Sequence, residues 1–202
     1  RDSSGRNRAS RRKALLLLIQ AGYALEDGEL VNAKTGEPFA FEILAVSGGQ
    51  ERLMLKFIDA LRGLGIDAEL RIVDSAQYQR RRQTYDFDMI QAFWYASLSP
   101  GNEQLFRWSS KSAETEGTFN YAGVKNPAVD AMIEALLAAR SRENFVSAVR
   151  ALDRVLLSGH YVIPLFHSRS QWIARWKNLV RPEKTSLYGY RTDTWWIEGS
   201  AD

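Results

Sequence analysis

The stretch from Phe39 to Tyr95 constrains this chain most, because its hydrophobic period switches repeatedly between two and about 3.6. Phe39, Phe41, Ile43 and Ala45 alternate with Ala40, Glu42 and Leu44, which predicts a strand. Leu53, Phe57, Leu61 and Leu64 then recur at helical spacing, with Met54 and Ile58 widening the stripe and Gly65 as C-terminal cap. Ile66 to Val73 returns to alternation through Ile66, Ala68, Leu70 and Ile72. The Arg-rich SAQYQRRRQT predicts a short helix, and Phe87 to Tyr95 predicts a third strand. This alternation is that of an α/β fold with a largely parallel sheet. Ligand crevices in such sheets open beyond the carboxyl ends of the strands. SLSPGNEQLFRW (Ser97 to Trp108) stands at one of those ends.

The flanks add helices. Ser10 is the expected N-cap of ALLLLIQA, with Gly22 as its stop. Asp27-Gly28 and Thr35-Gly36 mark two turns joined to short extended pieces. Ser97 to Lys125 reads as loop. Asn126 caps the next helix, with Pro127 in its first turn and Val129, Met132, Ile133, Leu136 and Leu137 as its stripe. Ser141 caps another, striped by Phe145, Val149, Leu152, Val155 and Leu156 and ended by Gly159. YVIPLFHS and QWIARW predict extended segments around a turn at Ser168 to Ser170. From Pro182 on the chain reads as irregular and aromatic.

Charge and composition exclude several kinds of chemistry. The 202 residues contain no cysteine, so disulfides, zinc-thiolate sites and cysteine nucleophiles are ruled out. The longest apolar run, Ala14 to Ile19, is far short of the roughly 20 residues of a membrane span, and no signal-peptide cleavage pattern follows it. The net charge is +3, yet residues 1–13 carry six basic side chains and one Asp. Residues 1–13 therefore read as a basic arm or linker. A binder of nucleic acid or a membrane surface through Arg6 to Lys13 is one alternative function. No aromatic interleaves with these charges, so no nucleic-acid partner is expected.

The two histidines, His160 and His167, are set to point to opposite faces of an extended segment, and no metal site is expected. Ser10 to Lys13 matches S-x-x-K and Lys34-Thr35-Gly36 matches K-T-G, which makes a serine acyl-transferase or hydrolase the second alternative. Ser10 lies in the basic arm, K-T-G lies in a turn, and no S-D-N follows. There is no G-x-S-x-G, P-loop or G-x-G-x-x-G, so no catalytic residue and no cofactor is expected. What remains is aromatic surface around Ser97 to Asn120, where rings stack and neutral polar groups hydrogen-bond. The candidate ligand-binding residues are Trp94, Tyr95, Ser97, Ser99, Asn102, Glu103, Trp108 and Asn120.

Several motifs resemble a known family. They are A-x-x-L-L-x-x-A-G-Y (Ala14 to Tyr23), Gly36, Pro38 and Ile43 at the first strand, Leu64-Gly65-Ile66, Tyr78, and NPAVDAMI. Together they resemble extracellular solute-binding proteins of the oligopeptide/dipeptide/nickel class (family 5). SPGNEQ (Ser99 to Gln104), ALDRVL (Ala151 to Leu156), HYVIPLF (His160 to Phe166) and Trp195-Trp196 resemble its microcin C/oligopeptide, YejA-like branch. The resemblance implies a type II, cluster C-like periplasmic-binding-protein lobe over residues 14–160. Residues 161–202 would form a return segment toward an N-terminal lobe that this sequence lacks, as would the C-terminal part of a longer chain with a signal peptide in its precursor. It further implies periplasmic capture of peptides or peptide-like compounds, delivery to the permease subunits of an ABC importer, and no catalysis. Relatives often carry an Asp directly after W-x-A that holds the ligand's ammonium. Here Trp94-Tyr95-Ala96 is followed by Ser97. Either Glu103 supplies that charge or the ligand has no free ammonium there.

Overall fold

The computed structural model describes residues 8–48, 51–94, 99–167, 170 and 172–199. The chain forms two compact units, Arg1–Val162 and Ile163–Asp202.

The first unit opens with α1 (Arg8–Gln20). Ser10 sits inside it rather than at its cap, because Arg8 and Ala9, both good helix formers, already belong to the helix. β1 (Tyr23–Glu26) and β2 (Glu29–Asn32) form an antiparallel hairpin. Its turn places both Asp27 (φ 50°) and Gly28 (φ 91°) in the left-handed region, as a tight hairpin turn requires.

β3 (Ala40–Val46), α2 (Glu51–Arg62), β4 (Asp67–Val73), α3 (Ser75–Gln83) and β5 (Met89–Ile90) follow in the expected order. The strands lie β4–β3–β5, and both pairings are parallel. Ile43 and Leu44, on opposite faces of the central strand, are both buried, so β3 is covered on both sides. Ile43 joins Met54 and Ile58 of α2, Leu30, Ile66 and Ala68 in the first apolar cluster. On the other face Glu42 accepts a 2.6 Å hydrogen bond from Arg81 Nη2 of α3. Gly65, at φ 83°, closes the α2–β4 turn against the hairpin. Its carbonyl accepts from Leu30 N at 2.8 Å.

The sheet's last strand and the loop after it differ from expectation. The third strand, expected over Phe87–Tyr95, is confined to Met89–Ile90 among the described residues, and Tyr95 lies outside them. Just beyond Ile90 the Gln91 carbonyl accepts the Tyr78 hydroxyl at 3.4 Å. The loop from Ser97 to Lys125 contains two short helices, α4 (Glu103–Trp108) and α5 (Ser110–Ala113). Helices this short are marginal alone. Tertiary bonds support them here: Asp130 accepts from Ser110 N (2.8 Å) and Ser110 Oγ (2.6 Å) of α5, and the Phe106 carbonyl of α4 accepts from Phe119 N at 3.0 Å.

α6 (Pro127–Ala138) and α7 (Arg142–Ser158) have the expected caps, Asn126 and Ser141, whose side chains accept from Ala128 N and Asn144 N. Val129, Ile133 and Leu136 of α6 pack with Ala148 and Leu152 of α7 and with Val124 in a second cluster. Leu137, expected in the stripe, is 39% exposed.

The second unit contains β6 (Leu179–Val180) paired antiparallel with β7 (Trp196–Ile197), and a 3-10 turn at Thr192–Thr194. Of the segments expected to be extended, 161–168 and 171–176, the described residues 161–167 and 172–176 join no ladder, and Ser168, Arg169 and Gln171 lie outside the described residues.

Candidate functional site

The candidate site begins where the chain leaves the carboxyl ends of β4 and β5. Asp74 starts α3 by accepting from Ala76 N and Gln77 N, each at 2.9 Å. On that helix Tyr78 and Arg82 are four apart and share a face. The Arg82 guanidinium carbon lies 6.0 Å from the Tyr78 ring centre and 5.5 Å from that of Tyr121. Tyr121 continues to Trp94 at 6.4 Å, and Trp94 to Trp108 at 5.2 Å. These contacts run in a row from α3 to α4. Phe119 meets Tyr121 edge-on at 6.2 Å. Phe93, Phe106 and Phe119 nearby are each more than half exposed.

The neighbouring arginines differ in charge state of their surroundings. Arg81 is neutralised: Nε donates to Asp86 Oδ2 (2.9 Å) and Nη2 to Glu42 Oε1 (2.6 Å). Its pKa is raised, chiefly by the hydrogen bond to Glu42. Arg82 gives one hydrogen bond, from Nη2 to Gln79 Oε1 at 2.6 Å, and no carboxylate pairs with it among the described residues. A planar, permanently charged fork with unused N–H groups beside an aromatic wall suits an anion. Burial raises the pKa of both Tyr78 and Tyr121, with Arg82 pulling the other way, so both phenols keep their protons at neutral pH.

Of the residues expected from the sequence, Trp94 and Trp108 come together. Trp94 Nε1 is buried and has no hydrogen-bond partner among the described residues. Ser99 and Asn102 are exposed, and Asn102 makes no side-chain cap bond to α4. Glu103 turns its carboxylate onto its own helix start, accepting from Gly101 N (3.0 Å) and Gln104 Nε2 (3.1 Å). Asn120 is only 1% exposed. Its amide donates to Ser109 O and Val124 O, each at 3.0 Å, and accepts from Val124 N at 2.9 Å. Those bonds fasten the turn that carries Tyr121. Tyr95 and Ser97 lie outside the described residues. Arg82 was not among the expected residues, although the Tyr78/Arg82 spacing within SAQYQRRRQT signals it. Among the described residues no group of three or more His, Asp or Glu is placed to hold a metal ion, and no helix is long and apolar enough to cross a membrane.

The parallel α/β unit thus carries an aromatic wall and an unpaired cation beyond its strand ends, and sequence comparison gives the family of the chain. Residues 2–116 match bacterial extracellular solute-binding proteins, family 5 Middle, and the chain belongs to that family. A protein of Brucella suis biovar 1 (strain 1330), named as a binding protein, is 55% identical over 195 residues, covering 96% of this chain and 32% of that protein. The peptidoglycan-binding protein YepA of Agrobacterium fabrum is 47% identical over 195 residues, again covering 96% of this chain and 32% of that protein. The chain thus spans about a third of the length of these curated relatives. The oligopeptide-binding protein AppA of Bacillus subtilis, solved with a nonapeptide, shares the fold at a TM-score of 0.72 and 19% identity, over 92% of this chain and 37% of that one.

Proposed function

We propose that these residues form the ligand-holding part of the substrate-binding component of an ABC importer. It captures peptides or peptide-like compounds in the periplasm and hands them to permease subunits at the membrane. Family membership supports the binding role, and the names of YepA and AppA support a ligand built from amino acids. The observation that carries the reading is the row Tyr78–Arg82–Tyr121–Trp94–Trp108. Its rings pack against side chains, and Arg82 takes the ligand's anionic end. Ser99 and Asn102 add neutral polar contacts from the same loop. The α/β part up to residue 160, with α1 packed on it, acts as one lobe of a two-lobed protein and residues 161–202 as a return segment, the other lobe closing over the ligand.

Mass spectrometry of small molecules released from the full-length protein, purified from its host without refolding, tests the reading. The expected species contains amide bonds and a carboxylate or another anionic end. A neutral ligand without amide bonds would contradict it.

A further inference from the structure

Tyr85 has φ 56°. A bulky residue is strained in that region and stays there only where its surroundings fix it. Here they do. The Tyr85 hydroxyl bonds to Thr118 Oγ1 and lies 3.4 Å from the Ser112 carbonyl. Thr118 gives its own proton to that carbonyl at 2.7 Å, so Tyr85 is the donor to Thr118. Beside this bond Gly117 N donates to Gln83 O at 2.9 Å. The turn after α3 is therefore latched twice to the segment that runs on to Phe119 and Tyr121. One side of the latch carries Tyr78 and Arg82, and the other carries Tyr121.

We infer that Tyr85 is a positioning residue: its bond to Thr118 sets the spacing between Arg82 and Tyr121, and so how well the site tells an anionic ligand end from a neutral one. This rests on the ligand site proposed above. Tyr85 itself has no ligand contact in it. A purely structural tyrosine would, when altered, weaken all ligands alike. A positioning tyrosine changes the ratio between charged and neutral ligands.

The test uses the full-length protein and a pool of tetrapeptides, either with free carboxyl ends or C-terminally amidated, with binding followed by tryptophan fluorescence. Wild type is expected to prefer the free acids by about tenfold, the scale of one charge-assisted hydrogen bond. Tyr85→Phe and Thr118→Val should each cut that preference to about threefold or less, with affinity for the amides unchanged. Circular dichroism checks the fold, and Thr118→Val decides if Tyr85→Phe does not fold. If wild type discriminates and a folded variant discriminates equally, the positioning role is overturned and the proposed site stands. If wild type binds neither pool, or both equally, the proposed site fails and the inference fails with it.

Discussion

Trp94 and Trp108 stand with ring centres 5.2 Å apart and planes tilted by 37°. Trp94 follows the last strand of the parallel sheet, and Trp108 ends α4 and packs on the α6–α7 cluster. The pair therefore joins the two parts of the first unit at the strand-end side where a ligand would dock. Trp108→Ala should lower both affinity and stability, the latter by about 2–4 kcal/mol for a large, partly buried ring. Trp94→Phe should keep the stacking and change stability by less than about 1 kcal/mol. Chemical denaturation beside a binding titration separates the two.

Gly65→Ala should destabilise the first unit by about 2 kcal/mol or more. A Cβ there meets Leu25 Cδ1 at 2.8 Å and both Gly28 O and Leu30 N at 2.9 Å, on a residue already at φ 83°. Two of these contacts are backbone, so relaxation is limited. Thermal unfolding measures the loss, and a melting temperature equal to wild type would refute the close approach.

Asn120→Ala leaves the buried Val124 carbonyl and amide without their side-chain partner, while the Ser109 carbonyl keeps its bonds from Ser112 and Ala113. The expected loss is about 2–4 kcal/mol, from buried groups left unsatisfied. In the folded fraction, the preference among ligands should persist. A stable Asn120→Ala protein with abolished binding would assign Asn120 to the ligand instead.

Much of the fold was legible in the sequence because its signals were local. Alternation at Phe39–Ala45, the α2 stripe and the caps Asn126 and Ser141 all operate within a few residues. The failures were tertiary. β5 stops at Ile90, although apolar residues follow it, and the next carbonyl, of Gln91, accepts from the Tyr78 side chain, a contact set by the packed fold. α5 is held by Asp130, distant in sequence, at Ser110, and α4 by the Phe119 amide at the Phe106 carbonyl. In the site, Trp94 and Trp108 were legible as aromatics flanking a polar loop. Asn120 was not legible as a fastener, since its partners depend on the folded turn. Arg82 and Arg81 look equivalent in sequence, and only the folded positions of Glu42 and Asp86 neutralise one of them.

N-acetylation of a peptide ligand should leave its affinity unchanged within about twofold. The Glu103 carboxylate is engaged by Gly101 N and Gln104 Nε2 at its own helix start, which leaves less of it for a ligand ammonium. Calorimetry with free and acetylated peptides checks this, and a loss of about tenfold or more would restore an ammonium-binding role.

Alkaline pH should loosen the site. Tyr78 and Tyr121 have folded pKa values above the ordinary 10.0, mainly through burial. A raised folded value means their contribution to stability is complete below pH 10 and is lost as pH rises through the folded values. Tyr78→Phe with Tyr121→Phe should flatten the fall in stability above pH 10, followed by denaturation at stepped pH. An identical fall in the double variant would place its origin elsewhere.

The most direct measurement is the affinity of the full-length protein for free-acid tetrapeptides, read by tryptophan fluorescence, in wild type and in Arg82→Gln. A saturable change in wild type, weakened on the order of tenfold in a variant that melts at the same temperature, is the expected result. Equal affinity in the two proteins would contradict the assignment of Arg82 and its aromatic row as the ligand site.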